Sequence, residues 1–294
     1  MISHKFNLIF LISILLLTSC NRKKNRLIKK INVSKIQHKF ENNQKEPDIT
    51  IWVHGTCLFP RLFLNHYFNS DPGLIKAEDV NPNYYLKTIA DVISVADPVK
   101  FPYETFYIFG WKGGLDCKER QEASHDLFKN LLEIVRNYKN KYKVLPKINI
   151  IAHSHGGNVV LNLNKIKNED IEFCINKLIL LACPVQKETK DYLKSNFFKK
   201  VYSFYSTLDI FQVLDPQGFH KVQRRGHKKR KPLFSERKFE SSDNLIQVQI
   251  KLNGRGLFHS EFLTEKFLKV LPNVLDEIDN FNDNFSEYLL NICT

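Results

Sequence analysis

The 294-residue sequence has few of the residues that define fibrous, disordered or disulfide-rich proteins. Glycine and proline number only 11 each, which excludes a collagen-like repeat, a mucin-like stalk and wholesale disorder. The six cysteines are too few and too scattered for a disulfide framework. No CxxC pair occurs, so we expect no zinc site. One disulfide is possible in an exported protein, but the sequence does not indicate which two cysteines would form it. The hydrophobic fraction of 43% suffices for one large core or two small ones.

Positive charge is concentrated in two segments. Of the formal net charge of +13, residues 1–46 carry +8 and residues 217–240 carry +7, so the remainder is slightly acidic. The sequence pI of 9.3 therefore does not indicate a nucleic-acid-binding protein, and no nucleic-acid partner is expected. The basic insertion 221–231 lacks interleaved aromatic residues for base stacking, so we interpret it as a solvated loop. Binding to an anionic surface is its main alternative.

The N-terminus has the features of an export signal. An apolar run over residues 8–17 is too short to span a bilayer as a helix, and small residues and Cys20 follow it. The Leu-Thr-Ser-Cys sequence ending at Cys20 resembles the bacterial lipoprotein box. That resemblance implies a signal peptide over 1–19, a diacylated Cys20 with a basic tether over 20–47, and a lipid-anchored protein of the bacterial cell envelope that faces the periplasm or the exterior. An ordinary signal peptide or an uncleaved anchor is the alternative.

Residues 48–294 read as one α/β domain. Near-continuous apolar runs are typical of strands that are covered on both faces, and helical patterns alternate with them. The sequence therefore predicts a mostly parallel central sheet of about six or more strands with helices on both faces. The predicted strands are 48–54, 105–111, 147–152, 177–182, 200–205 and 245–252. The predicted helices are 118–138, 158–165, 189–198 with Thr189 as N-cap, and 261–278 with a kink or break at Pro272.

The strongest functional signal is the turn around Ser154. A predicted strand runs into Ala152-His153-Ser154-His155-Gly156-Gly157, and a predicted helix follows. A serine on such a strand-to-helix bend adopts a strained backbone, and its neighbours two positions away must be small. The hydroxyl would then project at the carboxyl edge of the sheet, where free amides and the helix dipole stabilise developing negative charge.

This segment resembles the Gly-x-Ser-x-Gly motif of the α/β-hydrolase superfamily, and of its lipase- and esterase-like members, with Ala152 at the first glycine position. The resemblance implies a catalytic triad in the chain order serine, acid, histidine. Asp209 follows the fifth predicted strand, with Asp215 as its competitor. His259 lies in a glycine-rich loop after the last predicted strand, with His220 and His227 as alternatives. Ser154, Asp209 and His259 are the predicted catalytic residues.

The resemblance also implies an oxyanion loop at the end of the first predicted strand. The backbone N–H groups of Thr56 and His155 are the predicted oxyanion donors, and Gly55 permits their close approach. His153 and His155 flank Ser154 on a sharp turn and point apart, so we expect no metal, and the proposed chemistry needs no cofactor.

The sequence therefore predicts a membrane-tethered serine hydrolase that cleaves carboxylic esters, in the manner of a lipase or esterase, through an acyl-enzyme. The expected partners are an ester or lipid-like substrate and the membrane. Residues 57–75 are apolar and read equally well as an acyl pocket, a lid or plain core. An amidase or acyltransferase would use the same triad, and a non-catalytic binding lipoprotein on a hydrolase scaffold is a further alternative.

Overall fold

The computed structural model describes residues 27–32, 48–56, 72–167, 171–213, 236–281 and 286–293. Several sequence predictions fall outside these ranges. They are the signal peptide 1–19, Cys20, most of the tether 20–47, residues 57–71, the basic insertion 221–231, Asp215, His220 and His227.

The described strands form one sheet. In chain order they are β1 (Leu27–Asn32), β2 (Asp48–Val53), β3 (Gly73–Lys76), β4 (Phe106–Gly110), β5 (Lys147–His153), β6 (Ile175–Leu181), β7 (Phe198–Tyr205), β8 (Leu245–Leu252), β9 (Arg255–Gly256) and β10 (Glu287–Cys293). Their order across the sheet is β1-β10-β8-β7-β6-β5-β2-β4-β3, with the short β9 paired to β8 outside this path. The neighbours are parallel except for β3 with β4 and β9 with β8. The predicted mostly parallel sheet is confirmed.

Helices cover both faces of this sheet, as the sequence predicts. They are α1 (Tyr85–Ala96), α2 (Cys117–Tyr142), α3 (Gly156–Ile166), α4 (Glu265–Leu268) and α5 (Leu271–Asp279). The apolar faces of α1, α4 and α5 pack in one core with Trp52 of β2. Those of α2 and α3 pack in a second core with Ile51 and Val53 of the same strand. Because successive side chains of a strand point to opposite faces, β2 contributes to both cores.

Two predicted helices differ from the structure. Residues 189–198 form turns with one short 3-10 segment (Tyr192–Lys194), and Phe198 already begins β7. The Thr189 hydroxyl donates to the Asn158 side chain rather than capping a helix. The predicted helix 261–278 is a 3-10 turn (His259–Leu263) followed by α4 and α5. Pro272 stands in the first turn of α5, where its missing N–H has no helical partner to lose.

Four strands and one helix were not predicted from the sequence. They are β3, β9, β10, the amphipathic α1 and, within the predicted tether, β1, which pairs in parallel with β10. Cys117, Cys174, Cys183 and Cys293 are free thiols. In the part of the chain that the structure describes, no helix combines the length and apolar character needed to cross a membrane.

Candidate active site

Ser154 stands where β5 ends and α3 begins. Its φ is +53°, a left-handed conformation that a residue with a Cβ rarely adopts. The amide of Ser154 donates to the carbonyl of Leu181 in the neighbouring strand at 2.9 Å, and its carbonyl accepts from Gly157 N–H at 3.0 Å. These bonds hold the turn between the sheet and the helix. The local geometry is the strained strand-to-helix bend that the sequence predicts.

The two glycines after Ser154 lie where side chains do not fit. A Cβ on Gly156 would lie 2.4 Å from the carbonyl oxygen of His54, and one on Gly157 would lie 2.4 Å from Sγ of Cys183. The crowding at Gly156 thus comes from the end of β2. Both glycines allow α3 to start directly against the ends of strands β2 and β6.

His259 and Asp209 are in direct contact although fifty residues separate them. Nδ1 of His259 lies 2.8 Å from Oδ2 of Asp209. Asp209 lies in the turn after β7 and is fully buried, whereas the His259 side chain keeps 19% of its surface exposed. With Nδ1–H donating to the carboxylate, Nε2 of His259 is left as the basic nitrogen.

The loop that carries Asp209 is held by several bonds. The other carboxylate oxygen, Oδ1, accepts from the amide of Gln212 at 3.0 Å. The Arg237 guanidinium donates to the backbone carbonyl of Asp209 at 3.0 Å. Burial lowers the pKa of Arg237, and the charge of Asp209 acts against that shift. These contacts fix both the backbone and the carboxylate of Asp209.

The loop after β2 is clamped to the end of β4. The indole Nε1–H of Trp111 donates to the carbonyl of His54 at 2.8 Å, and the amide of Trp111 donates to Nε2 of His54 at 3.1 Å. The two rings stack with centroids 5.6 Å apart. Because Nε2 accepts, Nδ1 carries the proton and donates to the carbonyl of Gly55 at 2.8 Å. His54 is thus a structural residue that shapes the backbone leading to Thr56.

Gly55 places this loop against Ser154. A Cβ on Gly55 would lie 2.7 Å from Cβ of Ser154 and 3.1 Å from the carbonyl oxygen of His153. Thr56 follows Gly55 directly, and His155 precedes the first residue of α3. The two predicted oxyanion donors therefore lie on segments that meet at Ser154.

Burial keeps the three histidines around Ser154 neutral. It lowers the pKa of His54, and it holds the pKa values of His153 and His155 well below the ordinary value. The next contribution is the neighbouring His259 for His153 and the Arg120 guanidinium for His155. Within the described ranges, no three His, Cys, Asp or Glu side chains gather as metal ligands.

The structure thus brings the predicted residues to one edge of the sheet, but one expected hydrogen bond, between Ser154 and His259, is not formed. Between described residues there is no hydrogen bond from the Ser154 hydroxyl to His259; the contact between their segments runs through His153, whose Nε2 lies 3.1 Å from the carbonyl oxygen of His259. Catalytic hydrogen bonds are often long before substrate binds. The sequence did not predict the roles of Trp111, His153 and Arg237, because their partners are distant in the chain. The aromatic Trp111 directly after a predicted strand was the one visible signal.

A family model and several solved structures resemble parts of this chain. Residues 112–211, about a third of the sequence, match the family described as "Alpha/beta hydrolase of unknown function (DUF900)". The matched stretch includes Ser154 and Asp209 but ends before His259. A search of the curated proteins finds no match.

The similar solved structures include lipolytic enzymes at low identity. Phospholipase PlaB from Legionella pneumophila in complex with thio-NAD is 17% identical over 46% of this chain and 25% of its own, with a TM-score of 0.28. Aspergillus fumigatus lipase B is 12% identical over 78% of this chain and 52% of its own, with a TM-score of 0.37. The esterase domain of a Rhodothermus marinus protein is 11% identical over 80% of this chain and 88% of its own, with a TM-score of 0.37. This chain thus spans about a quarter of PlaB and half of lipase B. At these identities and TM-scores, the activities and substrates of those proteins cannot be assigned to this chain.

The assignment of the fold rests on two features of the structure and on the family match. The mostly parallel sheet with helices on both faces, the strained serine between β5 and α3, and the family match across that bend agree with one another. The chain has an α/β-hydrolase fold.

Proposed function

We propose that this protein is a serine hydrolase that cleaves carboxylic esters, with Ser154 as nucleophile, His259 as general base and Asp209 as the acid that orients it. The observation that carries the proposal is the 2.8 Å contact between His259 and Asp209 at the sheet edge where the strained Ser154 stands. A strained serine, an imidazole with a free Nε2 and a buried carboxylate together suit nucleophilic acyl transfer.

The reaction takes place in two steps. Nε2 of His259 accepts the Ser154 proton as Oγ attacks the ester carbonyl, and the N–H groups of Thr56 and His155 bind the oxyanion. The same proton then passes to the departing alcohol, which leaves an acyl-Ser154 ester. Water attacks that ester, giving its proton to His259, and the carboxylic acid departs as Ser154 recovers its proton.

A fluorophosphonate probe tests the nucleophile. The wild-type chain should be labelled, and Ser154→Ala should not be, because the probe reacts with an activated serine hydroxyl. Ser124→Ala, which removes a buried hydroxyl from α2, is the matched control and should keep labelling. Absence of labelling in the folded wild-type protein would favour the non-catalytic lipoprotein instead.

Paired chromogenic substrates test the bond that is cleaved. A p-nitrophenyl ester and the anilide of the same acyl group should differ in turnover, with the ester strongly preferred. Faster cleavage of the anilide would assign the site to amide chemistry. Transfer of the acyl group to an added alcohol in preference to water would assign it to an acyltransferase.

The membrane anchor is a separate part of the proposal. It is supported by the Leu-Thr-Ser-Cys sequence that ends at Cys20 and by the positive charge that follows it. Cys20→Ala should allow a high-salt wash to release the protein from the membrane fraction of a bacterial host, with probe labelling retained. Membrane association that is unchanged in this variant would count against lipidation at Cys20.

A further inference from the structure

Four exposed apolar side chains lie next to the proposed acid and base. They are Leu208, Ile210, Phe211 and Phe258, here called the apolar rim, and they account for four of the nine exposed large hydrophobic side chains in the described ranges. Phe211 is 59% exposed and Phe258 is 53% exposed. Each rim residue lies within two positions of Asp209 or His259, so these four exposed apolar side chains all lie at the catalytic edge.

The rim is built from two loops that are distant in the chain but packed together. One loop carries Asp209 and is here called the acid loop, and the other carries His259 and is called the histidine loop. A Cβ on Gly256 would lie 3.0 Å from Cγ of Leu208, so the histidine loop lies directly against the acid loop. The Phe211 ring lies 6.0 Å from the ring of His259. Because the catalytic imidazole is itself a neighbour of the rim, whatever covers the rim also lies beside the reacting ester.

Local bonds hold the rim residues in their exposed positions. The amide of Phe258 donates to the Glu261 carboxylate at 2.6 Å, and Glu261 also pairs with Arg255. The Arg255 guanidinium lies 5.2 Å above the Phe258 ring. The acid loop is held by the bond from Gln212 N–H to Asp209. Fixed, clustered apolar side chains at a surface indicate a binding face rather than scattered exposure.

Charge indicates the kind of surface that the rim fits. Arg255 beside the rim is paired with Glu261, so the positive charge comes from the sequence that continues from the acid loop. The chain leaves the acid loop at Val213, and the sequence that follows, 214–235, has seven Lys or Arg and one Asp. An apolar surface that continues in the sequence into a cationic segment is complementary to a bilayer with anionic headgroups, because the acyl region takes the apolar groups while the phosphates attract the cations.

We propose that the apolar rim is the face with which the protein docks on an anionic phospholipid surface, so that the catalytic edge meets esters held in a lipid layer. This goes beyond anchoring by Cys20, because it orients the domain and brings Ser154 to the lipid. It rests on the proposed function only for the identity of the substrate; the contact itself needs no turnover.

Fluorescence quenching tests the contact directly. Full-length Ser154→Ala protein carrying either Phe211→Trp or Val95→Trp is mixed with phosphatidylcholine–phosphatidylglycerol vesicles whose acyl chains are brominated. Val95 is also exposed, near the end of α1 that leads towards the start of β4, away from the catalytic edge. Quenching beyond that of the parent protein is expected at position 211 and not at position 95. Equal quenching at both positions, or none at 211 in vesicle-bound protein, would overturn the proposal.

Partitioning provides the second measurement. In full-length Cys20→Ala, Ser154→Ala protein, in which no lipid anchor contributes, Phe211→Ser and Phe258→Ser should each lower the vesicle partition coefficient roughly tenfold, whereas Val95→Ser should not. Binding should be stronger with phosphatidylglycerol than with phosphatidylcholine alone, and added salt should reduce that difference. If Phe211→Ser instead dissociates a dimer in sedimentation without changing vesicle binding, the rim is an interface between copies and the proposal fails. If the rim binds vesicles but the wild-type protein turns over no ester, only the proposed function fails.

Discussion

The imidazole of His153 lies directly against that of His259, with ring centroids 4.7 Å apart. Nε2 of His153 also lies 3.1 Å from the carbonyl oxygen of His259. Because a carbonyl oxygen can only accept, Nε2 of His153 carries the proton and donates to it, and burial keeps the ring neutral. His153 is the last residue of β5 and precedes Ser154, so one side chain links the strand that carries the serine to the loop that carries the base.

We expect His153→Phe to impair turnover while leaving the fold intact. Phenylalanine retains the ring contact with His259 but loses the hydrogen bond, so the base is less well positioned. The expected result is a decrease in kcat on the order of 10–100-fold with little change in KM for a small ester. His125→Phe, on the exposed side of α2, is the control and should keep wild-type kcat. A His153→Phe enzyme with normal kcat would remove His153 from the positioning of the base.

The sequence predicted the central strands because both of their faces are buried. Strands β2, β4, β5, β6, β7 and β8 read as apolar runs, and their bounds agree with the structure to within a few residues. Strand β3 has only four residues and β10 alternates in burial, so no such run marks them, and Lys29 and Lys30 interrupt the apolar residues of β1. The prediction of a helix over 189–198 was wrong because Thr189 has the residue type of an N-cap, whereas its hydroxyl donates to Asn158 on α3.

The sequence motif and the order of residues along the chain were sufficient to predict part of the candidate site. The bend at Ser154 and the positions of Asp209 and His259 after successive strands are visible in the sequence. Contacts such as Trp111 with His54, Arg237 with Asp209 and His153 with His259 join residues distant in the chain. Only the folded arrangement reveals them.

Gly55→Ala should disable the site through steric conflict. The new methyl group would lie 2.7 Å from Cβ of Ser154 and 3.1 Å from a backbone oxygen, neither of which can rotate away. We expect kcat to fall roughly 10²-fold because the oxyanion loop and the serine are pushed apart. In the control Gly114→Ala, the nearest atoms belong to the flexible Glu119 carboxylate, so turnover should be retained. Similar losses in both variants would indicate general destabilisation instead.

Asp209→Asn compared with Asp215→Asn tests the identity of the acid. An amide at position 209 cannot stabilise the imidazolium, and it favours the wrong tautomer of His259, so kcat should fall on the order of 10³–10⁴-fold. Asp215→Asn should leave kcat near the wild-type value. Steady-state kinetics on one soluble ester, with melting temperatures to confirm folding, provide the comparison. The opposite ranking would transfer the role to Asp215.

The buried histidines predict that the fold loses stability in mild acid. The pKa values of His54, His153 and His155 lie below the ordinary value, mainly because of burial, so these rings bind fewer protons in the folded chain than in the unfolded one. Their contribution is complete above about pH 7 and declines as the pH falls through about 6.5, by up to about 1.4 kcal/mol per pH unit for each ring. Urea titrations at pH values from about 7.5 to about 5.5 measure this decline in the free energy of unfolding. This pH range lies above the range in which ordinary carboxylates titrate.

The matched variants for this pH dependence are His155→Gln, which removes one of the three rings, and Val135→Ala, which only weakens the core under α2. Both should lower stability at neutral pH, but only His155→Gln should reduce the slope of stability against pH. If the two variants and the wild-type protein share one slope of stability against pH, His155 binds as many protons in the folded chain as in the unfolded one. His155 would then not contribute to the acid sensitivity.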